Sequence, residues 1–245
     1  MKYIRKFNNN SDCQNYINNN AIDPTLYKID NNVKFVNKAG NYIQDGLIFQ
    51  LDGKYKGFYN NVMTDLISGK HIDIEKETDS SKFEYEYSKE YLKLTNLYNS
   101  WGKMIFDTDI PQNQNYTVEV CLLLASTGRK FVFSSGSNST PMFVINNELI
   151  CFMQRSKQYY YNKFATNTKY TFSLNLDHGY CNNEELIQKG DDYWNLGESN
   201  IMYFFNGKAG GSKNCPPIGN IYAIRIYNRR LTPEEQLYNQ NIDIK

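Results

Sequence analysis

Apolar and polar residues alternate with a period of two through most of the chain, which is the pattern of half-buried β-strands. From residue 46 onward, short apolar runs recur at the spacing of a β-sandwich and are separated by polar loops. These runs predict strands at 47–51, 82–87, 91–95, 103–107, 116–124, 130–134, 142–146, 149–154, 169–176 and 201–206. The pattern therefore predicts a mainly β fold with antiparallel strands.

The segment that begins at Gly219 predicts one further strand and a short C-terminal helix. Both alternating faces of the strand are mostly apolar, and the face with Tyr222, Ile224 and Ile226 is expected to fill the core. Thr232 occupies the N-cap position of the helix, with Pro233 after it, and Glu235 three residues on completes a capping box.

Residues 1–37 predict a small mixed α/β unit. A strand runs from Tyr3 to Phe7, a helix follows the capping signature at Ser11, and two short strands at 26–29 and 33–36 flank a turn. A unit of this size rarely supplies a sufficient core of its own, so it is expected to dock on the sandwich or on another protein. Residues 38–45 form the predicted linker, and the sandwich occupies 46–245.

The last strand and the start of the helix resemble LamG-like jelly-roll domains of the concanavalin A-like lectin and glucanase superfamily. The residues that carry this resemblance are Gly219, Ile221, Arg225, Ile226, Tyr227, Asn228, Arg229, Leu231, Thr232, Glu234 and Glu235. The segments 46–53 and 64–69 are similar to the opening strand and loop of the family, although Met63 stands near the usual Trp and Ile67 is inserted. The resemblance implies a jelly-roll sandwich.

The N-terminal segment resembles structural proteins of crAss-like phages of gut bacteria. The similarity lies in the segment Ile4-Arg-Lys-Phe-Asn8, in Tyr16-Ile-Asn18 and in Pro24. It implies a head-fibre, capsid-decoration or tail-associated protein of the virion. The N-terminal module would then dock to other virion proteins, and the docking residues would be Tyr3, Ile4, Phe7 and Tyr16. Virion proteins of this kind are usually symmetric, which favours a homo-oligomer.

Composition narrows the classes of partner. The 245 residues include 27 basic and 26 acidic side chains, a net charge of +1, so no electrostatic footprint favours nucleic acid. The sequence shows no signal peptide and no apolar run that could span a membrane, which favours synthesis in a host cytoplasm. The five cysteines, at positions 13, 121, 151, 181 and 215, are far apart in the sequence, and we expect them to be reduced thiols.

Enzymatic function is not predicted. A glycoside hydrolase needs two carboxylates across a cleft, and glucanases of the superfamily carry them as Glu-x-Asp-x-x-Glu, a run missing here. Acidic residues stand at alternating positions and are expected to lie on a face exposed to water. The alternative is that they bind a structural calcium ion, and a weaker alternative is that they serve a glycosidase. These residues are Asp73, Glu75, Glu77, Asp79, Glu84 and Glu86. His71 and His178 are expected to be surface histidines. No catalytic residue, metal ligand or cofactor is assigned.

Aromatic side chains are the candidates for binding sugars, because a ring can cover the apolar face of a pyranose while neighbouring polar groups form hydrogen bonds. The candidates are Tyr159, Tyr160, Tyr161 and Trp101. The sequence thus favours a non-enzymatic virion structural protein with a lectin-like sandwich. The alternative is a lectin module that recognises glycans of a host surface or of mucin.

Overall fold

The computed structural model describes residues 41–55, 57–58, 62–72, 85–93, 115–125, 159–188 and 219–244 in full, and the backbone of further strands. One α-helix, α1 (Pro233–Ile244), and a 3-10 turn at Gly53–Tyr55 accompany the strands within this part of the chain. The strands are β1 (Ile4–Lys6), β2 (Tyr27–Ile29), β3 (Lys34–Asn37), β4 (Leu47–Asp52), β5 (Met63–Thr64), β6 (His71–Ile72), β7 (Ile74–Lys76), β8 (Glu84–Tyr87), β9 (Leu92–Asn96), β10 (Gly102–Ile110), β11 (Thr117–Leu124), β12 (Lys130–Ser135), β13 (Pro141–Asn146), β14 (Leu149–Phe152), β15 (Lys157–Tyr160), β16 (Thr168–Leu174), β17 (Gly179–Cys181), β18 (Glu184–Glu185), β19 (Ile187–Gly190), β20 (Ser199–Phe204) and β21 (Gly219–Tyr227).

Two eight-stranded antiparallel sheets make up the sandwich. The first, which we call the helix-side sheet, has the order β18-β17-β16-β11-β21-β9-β8, and β4 also pairs with β21. The second sheet has the order β19-β15-β14-β13-β12-β20-β10-β7. The mainly β, antiparallel jelly-roll class predicted from the sequence is confirmed, together with the short C-terminal helix.

The predicted start of the helix is confirmed in detail. The amide of Thr232 donates to Oε2 of Glu235 at 2.9 Å, and the amide of Glu235 donates to Oγ1 of Thr232 at 3.3 Å. Arg229 in the preceding turn makes a bidentate ion pair with Glu235, with nitrogen–oxygen distances of 2.7 and 2.6 Å. These contacts fix the angle at which the chain leaves β21 and enters α1.

The apolar core lies on one face of the helix-side sheet. On β11 the alternating residues Val118, Val120, Leu122 and Leu124 are buried there. Neighbouring strands contribute buried side chains to the same cluster, among them Phe49, Leu51, Phe172, Leu174, Ile221, Ile224 and Ile226. Each fully buried aliphatic or aromatic side chain of this kind contributes roughly 1.5–3 kcal/mol to folding.

A β-bulge changes which residues of β21 reach the core. Leu122 pairs with Ile221 whereas its neighbour Cys121 pairs with Ala223, so Tyr222 is an extra residue between two register positions. Ile221 is 1% exposed and belongs to the core, while Tyr222 is half-buried outside it. The expectation that Tyr222 shares the core with Ile224 is therefore wrong, because the bulge interrupts the period of two.

The N-terminal strands form a sheet of their own with the order β1-β3-β2, in which Val36 pairs with Ile4 on one side and Lys28 on the other. This confirms the three strands predicted there. The predicted helix and the docking residues Tyr3, Phe7 and Tyr16 lie outside the described residues, and only the backbone of Ile4 is described. In the part of the chain that is described, no helix is long and apolar enough to cross a membrane.

Candidate functional site

A buried ion cluster centred on Arg225 lies on the face of the helix-side sheet opposite the core. Arg225 pairs with Glu119 across neighbouring strands, and its Nε donates to Oε2 of Glu119 at 2.8 Å. Its two terminal nitrogens bind both carboxylate oxygens of Asp243 on α1, and Nη1 also donates to Oδ2 of Asp52 at 3.4 Å. The ring of Tyr42 covers the guanidinium, with 3.9 Å between Cζ and the ring centroid. One buried cation thus contacts three buried carboxylates.

The helix packs on this sheet through polar side chains. Its buried residues are Gln236, Asn239, Gln240 and Asp243, which recur at the i, i+3, i+4, i+7 spacing of one helix face. Asn239 donates to Glu119 and to the hydroxyl of Tyr227, both at 3.0 Å. The predicted linker also contacts this helix, because the amide of Ile43 donates to Asn239 at 3.0 Å. Hydrogen bonds therefore hold the helix to the sheet where apolar packing would be usual.

Burial sets the electrostatics of the cluster. Burial raises the pKa of Asp52 to about 6, although Arg225 acts in the opposite direction. Burial also raises the pKa of Glu119, again against the effect of Arg225. For Arg225 burial acts to lower the pKa, but Asp243 and Glu119 outweigh it and hold the pKa well above its ordinary value. The arginine therefore stays charged, while burial makes Asp52 and Glu119 harder to ionise.

A cleft of about 610 Å³ opens beside this cluster, at the C-terminal end of α1. Its floor consists of buried residues, namely Tyr42, Asp52, Gly53, Cys121, Ala223 and Asp243. Its rim consists of the exposed residues Lys54, Lys89, Glu90 and Lys169, together with the half-buried Tyr222. The ion cluster makes the floor rigid, whereas the rim offers side chains to a ligand.

Two rim lysines are held by the end of the helix. Nζ of Lys54 donates to the carbonyl oxygen of Ile242, and Nζ of Lys169 donates to that of Asp243, both at 3.2 Å. These bonds satisfy carbonyl groups that have no partner within a helix, and the lysines suit the negative end of its dipole. The last turn of α1 itself carries no basic residue.

Tyr222 forms the aromatic part of the rim. Its ring contacts that of Tyr91 edge to face, with 5.4 Å between the centroids. Nζ of Lys169 lies 4.8 Å from the centroid of the Tyr222 ring, within the range of a cation–π contact. A ring, an ammonium group and an open volume therefore meet at one place.

The aromatic residues predicted to bind glycans do not meet at one surface among the described residues. Tyr159 is 1% exposed and its hydroxyl donates to the carbonyl oxygen of Asn175 at 2.8 Å. Tyr161 is 8% exposed and packs edge to face on Phe164 in the core. Tyr160 is half-buried, and Trp101 lies outside the described residues. In this structure the rings of Tyr159 and Tyr161 fill the sandwich and are not available to a ligand.

The acids at 73–86 lie mostly outside the described residues. Glu86 is exposed and forms an ion pair with Lys93 at 3.3 Å. Among the described residues, no group of three or more His, Cys, Asp or Glu side chains could hold a metal ion. The His178 side chain is 38% exposed, in keeping with a surface histidine. Cys121 and Cys181 are buried free thiols, as expected, and burial raises the pKa of Cys121 to about 12.

The sequence interpretation missed the ion cluster and the cleft. One available signal was Arg225, a charged residue in a strand predicted to be covered on both faces. The other was the helix, where polar residues stand at the spacing normally taken by apolar ones. A charged strand residue opposite a polar helix face indicates a buried polar network. No local pattern indicates the rim, because its residues come from four separate segments.

Comparison with known proteins relates the chain to β-sandwich structures. No protein-family model matches the sequence, and no curated protein matches it. Among solved structures, the botulinum neurotoxin serotype D binding domain is similar with a TM-score of 0.54 and 14% identity, over 83% of this chain and 53% of that one. A structure of botulinum neurotoxin type C, a toxin whose cell entry is described as dependent on interaction with two ganglioside molecules, is also similar. Its TM-score is 0.51 and its identity 11%, over 80% of this chain and 51% of that one.

The Trypanosoma rangeli sialidase in complex with sialic acid is also similar, with a TM-score of 0.53 and 13% identity, over 89% of this chain and 42% of that one. The chain spans about half the length of the botulinum structures that it matches. At these identities the likeness concerns the fold. The chain has a β-sandwich fold similar to the parts of these structures that it matches.

Proposed function

We propose that this chain is a non-catalytic, lectin-like carbohydrate-binding module and that the cleft beside α1 is its binding site. The observation that carries the proposal is the cleft itself, which combines a buried, hydrogen-bonded floor with a rim of exposed polar side chains and the half-buried ring of Tyr222. A rigid floor limits the conformational entropy that is lost when a ligand binds.

The size and the chemistry of the cleft suit one or two sugar rings. A volume of about 610 Å³ lies within the roughly 300–1,000 Å³ of small-molecule sites. The ring of Tyr222 can cover an apolar sugar face, while Lys89 and Glu90 on the same rim can form hydrogen bonds with hydroxyl groups.

The carboxylates of the cleft support binding without catalysis. A glycosidase sets one carboxyl group on each side of the scissile bond. Here Asp243 accepts hydrogen bonds from Arg225 and Tyr42. Asp52 accepts them from Arg225 and from the amide of Lys54. Each oxygen of these two buried acids already accepts a hydrogen bond within the protein, and Glu90 is the one exposed carboxylate among the described lining residues, so no pair of exposed carboxyl groups faces the cleft.

The similar structures support a binding module. They include a toxin binding domain and a toxin whose cell entry depends on gangliosides, and the similar sialidase was solved with sialic acid bound. Sugars and glycolipids are therefore recognised by proteins that contain sandwiches of this fold.

Binding of the parent protein and of single-residue variants to a glycan array tests the proposal. Tyr222→Ala is expected to reduce binding about tenfold or more, since stacking on an aromatic ring contributes on the order of 1–2 kcal/mol. Tyr238→Ala is the matched control, because Tyr238 is 49% exposed on the helix and does not line the cleft. Tyr160→Ala and Trp101→Ala test two candidates from the sequence, of which Tyr160 is half-buried and Trp101 lies outside the described residues. If the parent binds no glycan on the array, the proposal is wrong.

A second proposal concerns the assembly to which this module belongs, and the N-terminal sheet supports it. Strands β1 to β3 form a separate three-stranded sheet, which is too small to rely on a core of its own. Together with the resemblance of residues 4–24 to phage structural proteins, this supports a virion component that docks through its N-terminal module, as a homo-oligomer, and presents the sandwich to glycans of a host surface.

Mass spectrometry of purified virions tests that context. The chain should be found at a fixed ratio to the major capsid protein, and Phe7→Asp or Tyr16→Asp should reduce its incorporation while Asn9→Asp does not. Virions that contain the capsid protein but lack this chain would rule out a virion role. The glycan-binding proposal does not depend on that outcome.

A further inference from the structure

We infer that the sugar bound in the cleft carries an anionic group, a carboxylate or a sulfate, which the rim lysines recognise. This inference rests on the proposed carbohydrate-binding function and specifies its ligand. It follows from the charges that face the opening, from the hydrogen bonds that direct the floor carboxylates into the protein and from the position of one lysine beside the aromatic ring.

Exposed positive charge predominates at the opening. Lys54, Lys89 and Lys169 are exposed on the rim, and among the described lining residues Glu90 is the one exposed carboxylate. Charges that line a cleft with low-dielectric walls focus their field into it and attract ligands of the opposite sign. The excess of positive charge at the rim therefore favours an anionic ligand.

The two acids of the floor do not cancel this preference. The side chains of Asp52 and Asp243 are 3% and 4% exposed. Their oxygens point to the Arg225 guanidinium, to the Tyr42 hydroxyl and to the amide of Lys54. A ligand in the opening meets the lysine ammonium groups before it meets these carboxylates.

The end of the helix brings two of the ammonium groups together. Lys54 lies in the turn after β4 and Lys169 lies on β16, yet their Nζ atoms bind the carbonyl oxygens of consecutive residues of α1. An ammonium group has three donors, so each keeps donors for a ligand after it binds one carbonyl oxygen. A ligand that approaches the end of the helix therefore meets two ammonium groups that bind neighbouring carbonyl oxygens.

Lys169 also connects the charge with the ring. Because its Nζ lies over the Tyr222 ring, 4.8 Å from the centroid, a sugar held at this part of the rim lies near an ammonium group as well as the ring. A neutral hydroxyl there accepts a hydrogen bond from the ammonium group, whereas an anionic substituent also gains the Coulombic attraction between two full charges. The geometry therefore discriminates between sugars by charge at a single substituent.

Titration calorimetry with matched ligand pairs tests the inference. A sialylated oligosaccharide, a uronic-acid oligosaccharide and a sulfated oligosaccharide are each compared with the neutral form that lacks the charged group. At least one acidic form should bind about tenfold more tightly than its neutral counterpart, and raising the salt concentration should reduce the difference. Comparison of the three ligand pairs identifies which anionic group is recognised.

Lysine variants connect the preference to the cleft. Lys169→Gln and Lys89→Gln should each reduce affinity for the acidic ligand by a clearly larger factor than affinity for the neutral one, while Lys169→Arg should retain the preference. Lys93→Gln is the control, because Lys93 is exposed on β9, pairs with Glu86 and does not line the cleft. Equal binding of acidic and neutral forms overturns the inference and leaves the proposed function standing. If no ligand of either charge binds here or on the glycan array, the proposed function fails as well.

Discussion

The backbone of Gly53 packs directly against that of Glu90, so closely that a Cβ atom at position 53 would lie 1.9 Å from the carbonyl oxygen of Glu90. Both residues line the cleft. The contact holds the turn before β9 against the turn after β4, and it requires a residue without a side chain at position 53. The shape of the cleft thus depends on a glycine that could not bind a ligand through a side chain.

Gly53→Ala is expected to destabilise the fold by about 2 kcal/mol, because the added methyl group must push one turn away from the other. Urea unfolding followed by tyrosine fluorescence measures the change. Glu90→Ala is the matched control, since it removes an exposed side chain and keeps the carbonyl oxygen, and it should change stability by less than about 0.5 kcal/mol. Equal stability of Gly53→Ala and the parent would contradict the close contact.

Arg225→Met should be among the most damaging single changes in the helix-side sheet. It leaves three carboxyl groups buried without their cation, and breaking a buried ion pair in this way costs about 3–5 kcal/mol. Arg230→Met provides the comparison, because Arg230 pairs with Asp177 where both side chains are substantially exposed, and pairs of that kind are worth about 1 kcal/mol or less. Losses of similar size in the two variants would argue against the cluster.

The stability of the protein should depend on the protonation of Asp52. Its pKa in the folded protein is about 6, above the ordinary value of 3.8, so the folded state binds the proton more tightly than the unfolded chain does. The contribution of this group to stability is therefore greatest below pH 4 and is lost as the pH rises to 6, by about 3 kcal/mol.

Unfolding free energies of the parent and of Asp52→Asn, measured at pH 4, 5, 6 and 7, isolate this effect. The parent should lose stability relative to the variant across this range, because an amide does not titrate. Asp177→Asn, which changes an exposed acid, should follow the parent. Parallel curves for parent and Asp52→Asn would mean that Asp52 titrates normally in the folded state.

Thr232→Ala should cost about 1 kcal/mol, since it removes the hydroxyl that accepts a hydrogen bond from the Glu235 amide at the start of α1. Helical circular dichroism and urea unfolding report the loss. Thr166→Ala, at an exposed turn position, should stay within about 0.5 kcal/mol of the parent. No loss in Thr232→Ala would show that the ion pair between Arg229 and Glu235 is sufficient to fix the helix start.

Local patterns predicted the elements of this fold well, because strand periodicity and the capping box act within a few residues. The strand that starts at Gly219 and the helix that starts at Pro233 are where the sequence placed them. The orientation of Tyr222 was not predictable, since it depends on a bulge formed against β11. Tyr159 illustrates the same limit, because a tyrosine in a strand can face a ligand or a core, and here its hydroxyl bonds to Asn175 in the interior.

The polar surface under α1 has a consequence for the way this protein loses structure. When most helices leave a sheet they uncover apolar side chains, which then attract other chains. Here departure of α1 would uncover carboxylates, hydroxyls and the Arg225 guanidinium, all groups that water hydrates well. Detachment of α1 should therefore expose a largely polar surface that water hydrates in place of the helix, which favours its return to the sheet.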